Sequence, residues 1–186
     1  MSQDERRRRF ELLALPHLDA AYNLARWLAG NPADAEDVVQ EAYLRAYRYF
    51  EAWRGGDFRV WLLTIVRNSF LTWVRENRST RLLFVGDQTE EPDEPETSLW
   101  AEAPKNPEAM LLQHLDDAAL TRIVDDLPHD HREVLVLREL EDLSYRQIAA
   151  ITGVPIGTVM SRLARARALL RKRWLEGEGT EARDAL

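Results

Sequence analysis

A proline-rich, acidic stretch in the middle of the chain limits what it can fold into more than any other feature. Between Gly86 and Pro107 stand Pro92, Pro95, Pro104 and Pro107 among acidic and small polar residues. Such a composition is too polar to bury a core and too rich in proline for a long helix. It reads as a flexible linker, so the 186 residues divide into two small units rather than one large core. From about Phe10 to Arg81, apolar residues recur at helical spacing, interrupted at Pro16, Gly30-Asn31-Pro32 and Arg54-Gly55-Gly56-Asp57. Helical spacing resumes at Glu108, breaks at Leu127-Pro128-His129 and Thr152-Gly153, and gives way to a frayed tail over about the last ten residues. No segment shows the alternating Val, Ile and Thr runs of a sheet. The expected fold is all-α: a helical domain over 10–82, the linker over 83–107, and a second helical domain over 108–176 containing a helix-turn-helix.

Composition removes several functions. The chain has no cysteine, which excludes disulfides, thiolate zinc sites and cysteine nucleophiles. Met1 to Arg9 is charged and no apolar run of membrane or signal length follows, so the expected location is the cytoplasm, without membrane insertion. His17, His114, His129 and His131 show no zinc-protease or zinc-finger spacing, and His129-Asp130-His131 reads as a solvated pair at a helix start. No phosphate-binding glycine loop and no G-x-S-x-G elbow is present. Catalysis and cofactors are therefore not expected. The net charge of −7 argues against a simple nucleic-acid binder if read as a total. The distribution argues otherwise: Asp87 to Glu102 holds seven acidic residues and no basic one, whereas Pro155 to Leu175 holds six basic residues and no acidic one.

That basic segment follows a turn signature. Ser144-Tyr-Arg-Gln147 is a capping box, in which the serine hydroxyl accepts from the third helical amide and the glutamine reaches back to the cap. The helix it opens runs to Gly153, where a glycine can take the left-handed conformation of a tight interhelical turn. A second helix begins near Pro155. Small Ala149, Gly153 and Val159 fall where a helix-turn-helix needs close packing, a sharp turn and a core contact. Val159, Leu163, Ala166 and Leu170 line one face of the second helix, to pack on Ile148 and Leu140. The opposite face presents Ser161, Ala164, Arg165 and Ala168, flanked by Met160, Arg171 and Lys172, where arginine can reach bases or phosphates and small residues allow close approach. Arg162 lies nearer the core edge, suited either to a phosphate or to an internal ion pair. Without a partner these basic residues would be a solvated helix face.

The N-terminal half has two informative helices. Asn31 is a good N-cap, Pro32 suits the first helical position, and Asp34 and Glu36 complement the helix dipole. Ala35, Val39, Ala42, Ala46 and Phe50 form the buried stripe, leaving Asp37, Gln40, Glu41, Leu44 and Arg48 outside. By itself this outer face is equally a solvated surface, since scattered exposed apolar residues are normal. In the next helix Phe58, Leu62, Ile65, Ser69 and Trp73 are expected inward, with Thr64, Arg67, Asn68, Leu71 and Arg75 outward. Trp53, Arg54 and Gly55-Gly56 precede it, and aromatic rings with nearby cations suit unpaired bases. Core packing is the alternative for Trp53 and the favoured reading for Trp61 and Trp73.

Leu143-Ser-Tyr-Arg-Gln-Ile-Ala followed by Gly157-Thr-Val-Met-Ser-Arg-Leu-Ala-Arg-Ala-Arg167 closely resembles the C-terminal DNA-binding domain of the extracytoplasmic-function (ECF) group of sigma-70 RNA polymerase sigma factors. Asp34-Ala-Glu-Asp-Val-Val-Gln-Glu-Ala-Tyr-Leu-Arg-Ala46 is similar to that group's polymerase-binding helix, and Phe58-Arg-Val-Trp-Leu-Leu-Thr-Ile-Val-Arg-Asn68 to its promoter-melting helix. The resemblance implies that Asp37, Gln40, Glu41 and Leu44 dock on the largest subunits of core RNA polymerase. It implies that Trp53, Arg54, Thr64, Arg67 and Asn68 meet the melted single strand at the minus-ten element. For the double-stranded minus-thirty-five element it implies Met160, Ser161, Arg162, Ala164, Arg165 and Lys172. The family usually has a basic residue at Met160 and often a larger one at Ala164, so its upstream sequence preference does not transfer. An anti-sigma protein is a further partner implied by analogy. The expected mechanism has two weak DNA sites aligned by the polymerase, each raising the effective concentration of the other. The rival is a two-domain helix-turn-helix regulator acting without polymerase docking.

Overall fold

The computed structural model describes residues 2–77 and 118–184, and every regular element among them is helical. The expected linker over 83–107 lies outside the described residues. The chain divides into two compact units.

In the N-terminal unit, α1 (Gln3–Ala14) leads through a 3-10 turn at Leu15–His17 into α2 (Leu18–Ala29), α3 (Pro32–Tyr49) and α4 (Phe58–Glu76). The sequence reading began this unit at Phe10, whereas helix is present from Gln3. Its start is a capping box: the Glu5 amide donates to Ser2 Oγ at 3.2 Å and the Ser2 amide donates to Glu5 Oε2 at 3.0 Å. α2 closes on Gly30 in the left-handed conformation. One residue later Asn31 opens α3, its Oδ1 accepting from the Asp34 amide at 2.9 Å. Asp57 opens α4 in the same way, accepting from the Val60 amide at 3.2 Å.

Alanines set the packing of α2, α3 and α4. Ala20, Ala21, Ala25, Ala35, Ala42 and Ala46 are all buried, and small residues let helix backbones approach closely before Leu24, Leu62 and Leu63 fill the remaining space. α1 closes the other side with an aromatic cluster. Phe10 meets Tyr43, Tyr47, Phe50 and Phe58 edge-on at centroid distances of 5.3–6.4 Å. The Tyr43 hydroxyl donates to the Ala14 carbonyl at 3.0 Å, and burial pushes its pKa up to about 12. Arg6 lies over the Tyr47 ring at 4.8 Å and donates to the Tyr47 and Arg48 carbonyls at 2.7 and 3.2 Å. It satisfies orphan acceptors at the end of α3.

The buried stripe of α3 is the expected one with Val38 added. That of α4 differs: Phe58, Leu62, Leu63, Val66, Ser69 and Phe70 are buried, while Ile65 and Trp73 are only half-buried. α4 has apolar residues around most of its circumference, so periodicity alone does not choose the face, and contact with both α2 and α3 draws in a wider arc.

The C-terminal half of the chain contains α5 (Ala118–Asp125), α6 (His129–Glu139), α7 (Tyr145–Thr152) and α8 (Ile156–Asp184). Arg132 donates to the Asp125 and Leu127 carbonyls at 2.5 and 3.0 Å, tying the turn between α5 and α6. Burial lowers the pKa of its guanidinium, against the opposing pull of Asp125 and Asp126. α8 packs chiefly on α6 and also on α5. Leu140 is half-buried, whereas Val134, Leu135, Val136 and Leu137 on α6 are buried. α8 also runs on to Asp184 where a frayed tail was expected. The extension passes through Gly177 and Gly179, so it follows from propagation of a helix already nucleated upstream and not from local propensity.

The turn between α7 and α8 depends on Gly153, at φ +73°. Nothing lies within 4 Å of a Cβ added there, so substitution costs backbone strain alone. Gly153→Val is expected to lower stability by about 1–2 kcal/mol, and Gly153→Asn by less, as read from the urea midpoint of the full chain. Equal losses would show that φ at this position is not the determinant.

Candidate nucleic-acid interface

The capping box at the start of α7 has both reciprocal bonds. The Gln147 amide donates to Ser144 Oγ at 3.3 Å, and the Ser144 amide donates to Gln147 Oε1 at 2.8 Å. On α8, Val159, Leu163, Ala166 and Leu170 are buried. That fixes the helix rotation and leaves Met160, Ser161, Ala164, Arg165 and Lys172 exposed along one side. Met160 is 44% exposed, a large apolar side chain among small and basic neighbours. Lys172 lies 4.0 Å from Glu176 on the next turn, an exposed pair of little energetic weight.

Arg162 stands apart. Its Nη2 is 2.6 Å from Asp130 Oδ2 on α6, so of the two roles open to it in the sequence, the structure contains the ion pair. On the other flank of α8, Arg167 donates to Glu139 Oε1 through Nε at 3.1 Å and Nη2 at 2.5 Å. The histidines are not a solvated pair: His131 is buried and His129 half-buried, with His129 Nδ1 3.4 Å from Asp130 Oδ1. In the first turn of α6 it is His131 that enters the core, and Glu133 just beyond it is fully buried. His129, Asp130 and Glu133 place ligand atoms within 4.8 Å of one another. The Arg162 guanidinium already supplies a positive charge at that cluster.

In the N-terminal unit, Asp37, Gln40, Glu41 and Leu44 are all exposed on α3, Leu44 by 57%. Glu41 is bridged to Arg45 at 2.5 Å, leaving Leu44 as an apolar side chain ringed by polar ones. Around the start of α4 the predicted residues fall into two groups. Trp53 is half-buried in the aromatic cluster, 5.3 Å from Phe58 and stacked on Phe50 at 6.4 Å. Arg54 is exposed beside Gly55 and Gly56, both at positive φ. Thr64 and Arg67 are half-buried and Asn68 exposed, and the Thr64 hydroxyl is turned back to the Val60 carbonyl at 2.7 Å. Asn68 lines an open groove together with Leu71, Thr72, Val74 and Arg75.

Sequence reasoning missed Asp130 and Glu139. Nothing local marks them as partners of α8, although arginines at the edge of an apolar stripe generally seek an acid on the neighbouring helix. It also missed Arg6 and the part of α1 that precedes Phe10, for which Ser2-x-x-Glu5 was the available signal.

Comparison with known proteins covers both units. Residues 13–80 match Sigma-70 region 2 and residues 117–170 match Sigma-70, region 4. The chain is 38% identical over 136 residues to the ECF RNA polymerase sigma-E factor of Escherichia coli, covering 72% of this chain and 70% of that protein. It is 38% identical over 159 residues to the ECF RNA polymerase sigma factor SigE of Mycolicibacterium smegmatis, covering 86% of this chain but 59% of the relative. Among solved structures, the sigma factor RpoE in complex with the anti-sigma factor NepR from Bartonella quintana matches with TM-score 0.66 and 28% identity, over 89% of this chain and 96% of that one. CnrH in complex with the cytosolic domain of CnrY shares the fold with TM-score 0.62 and 24% identity, over 92% of this chain and 90% of that one. No helix among the described residues is long and apolar enough to cross a membrane. The N-terminal half matches a sigma region rather than a sensor or dimerisation domain, which disfavours the independent regulator. With two sigma regions in order and relatives of the same kind over most of its length, the chain belongs to the ECF group of RNA polymerase sigma factors.

Proposed function

We propose that this chain directs core RNA polymerase to promoters as an alternative sigma factor. Its domains would span 10–82 and 108–176, with an acidic linker over 83–107. The observation that carries the reading is the paired match to sigma regions 2 and 4 in order along one chain. The exposed Asp37, Gln40, Glu41 and Leu44 on α3 form the polymerase-docking face. Arg54, Arg67 and Asn68, with Trp53 and Thr64 supporting the loop and helix, receive the melted minus-ten strand. Met160, Ser161, Ala164, Arg165 and Lys172 enter or flank the major groove at the minus-thirty-five element, with Arg162 at their edge. Each contact set is small, and the net charge of −7 opposes phosphate attraction, so selectivity arises when the polymerase holds both units on one promoter. The chain makes and breaks no bond in this scheme and acts in the cytoplasm. An anti-sigma protein is a fitting regulator, since the RpoE and CnrH structures are both complexes, the former with a protein of that kind.

Run-off transcription with purified core polymerase on genomic DNA tests this function. The chain is expected to create start sites absent with core enzyme alone, and an unchanged start-site pattern would refute it. In the same assay Arg165→Ala is expected to weaken recognition at the upstream element by roughly tenfold, corresponding to the loss of one good base or phosphate contact. Co-purification with core polymerase should persist. Loss of core binding with retained upstream recognition would mean that this face of α8 serves the polymerase instead.

A further inference from the structure

Two arginines flank the exposed face of α8, and each is held by an acid on α6. The two pairs are not equivalent. The Glu139 side chain is only 8% exposed and that of Arg167 21%. Removing either partner there would strand a charge in the interior, so this pair is part of the packing. The Asp130 side chain is 49% exposed and that of Arg162 23%. A carboxylate half in water keeps much of its hydration, and such a pair has little net strength. At about 100° per residue, Arg162 lies roughly 60° around the helix from Arg165, at the border between the buried stripe and the face proposed to meet DNA. Its guanidinium therefore has two acceptors within reach when α8 lies in a groove: the Asp130 carboxylate behind it or a phosphate in front. Both present anionic oxygens suited to the same donors.

We infer that Asp130 is an internal competitor for a DNA phosphate, holding Arg162 off the duplex in the free protein. The inference rests on the reading of α8 as the DNA-binding helix. The Arg162–Asp130 pair opens as Arg162 transfers to the backbone, and the cost of opening it weakens DNA binding by the chain alone. Arg167 has no such freedom, because its partner is buried. The arrangement adds to the restraint exerted by net charge: the unbound factor binds DNA poorly until the polymerase raises its local concentration.

The test is full-chain binding to a fluorescent mixed-sequence duplex across a salt series, because phosphate contacts are sequence-independent. Asp130→Asn is expected to bind about fivefold more tightly, the fold-change corresponding to the upper range for an exposed pair. Where phosphate contact by Arg162 is incomplete in the wild-type complex, the plot of log K against log salt steepens by up to about 0.9. The gain should vanish when Asp130→Asn is combined with Arg162→Ala. It should also exceed that of Asp142→Asn, which removes one exposed acid elsewhere in the same unit. Affinity unchanged or reduced in Asp130→Asn, a gain that survives Arg162→Ala, or an equal gain in Asp142→Asn would each overturn the inference. Arg165→Ala measured alongside separates the two levels: if it too has no effect, the reading of α8 has failed, and if it alone weakens binding, only the role of Asp130 has.

Discussion

Core RNA polymerase is expected to retain the chain no longer when Asp37→Lys and Leu44→Asp are combined. This is the largest functional effect expected of any surface change. Both residues are exposed on α3, on the side away from Ala35, Val39, Ala42 and Ala46, so neither replacement disturbs the packing of the N-terminal unit. An apolar side chain ringed by polar groups is the arrangement in which a protein interface concentrates its energy: the centre is desolvated and the rim excludes water. In the proposed docking, a charge at Leu44 would cost that desolvation, and reversing the charge at Asp37 would turn the expected attraction into a repulsion. About 2 kcal/mol at each position, a common cost for a central interface residue, gives roughly a thousandfold weaker binding. Co-purification with core enzyme reads this directly, and unchanged helical circular dichroism establishes that the fold is intact. Retention by the polymerase at wild-type level would remove α3 as the docking face.

Phe10→Ala is expected to have the largest effect on stability. Phe10 is 8% exposed and packs edge-on against four aromatic rings. Truncating a buried phenylalanine costs about 3–5 kcal/mol through lost transfer energy and the cavity left behind. A small helical unit has about 5–15 kcal/mol in total. The variant should therefore lose much of the unit's cooperativity in urea, with α1 released first because Phe10 and Ala14 are its buried anchors. The Trp53 loop rests on the same cluster through Phe50 and Phe58, so promoter melting should fall with stability. A loss below about 1 kcal/mol would mean that α1 contributes little to the core despite its geometry.

What could be read from the sequence was what depends on neighbouring residues. The Ser144 box and the Asn31 cap are bonds between groups three residues apart, and the stripes of α3 and α8 follow from a single apolar face repeating at the helical period. α4 resisted the same reading because apolar residues surround most of it; only its neighbours determine that Val66 and Phe70 go inward while Ile65 and Trp73 stay partly exposed. α1 was hidden for the opposite reason. The run Arg6 to Arg9 outweighs the two buried residues that anchor the helix, and Arg6 is itself absorbed by carbonyls of α3 some forty residues away.

The sequence by itself therefore determined an all-α fold class, two sigma regions in order, and which faces of α3 and α8 point outward. Local propensity, capping and periodicity act over a few residues, and a single strand of text records them. Tertiary structure alone decided that Asp130 and Glu139 take up the flanking arginines of α8, that His131 and Glu133 are buried, and that Trp53 sits in an aromatic cluster. These are pairings between segments distant in the chain. Their strength depends on distance and on how much water remains around each charge or ring, and neither quantity exists until the helices have packed.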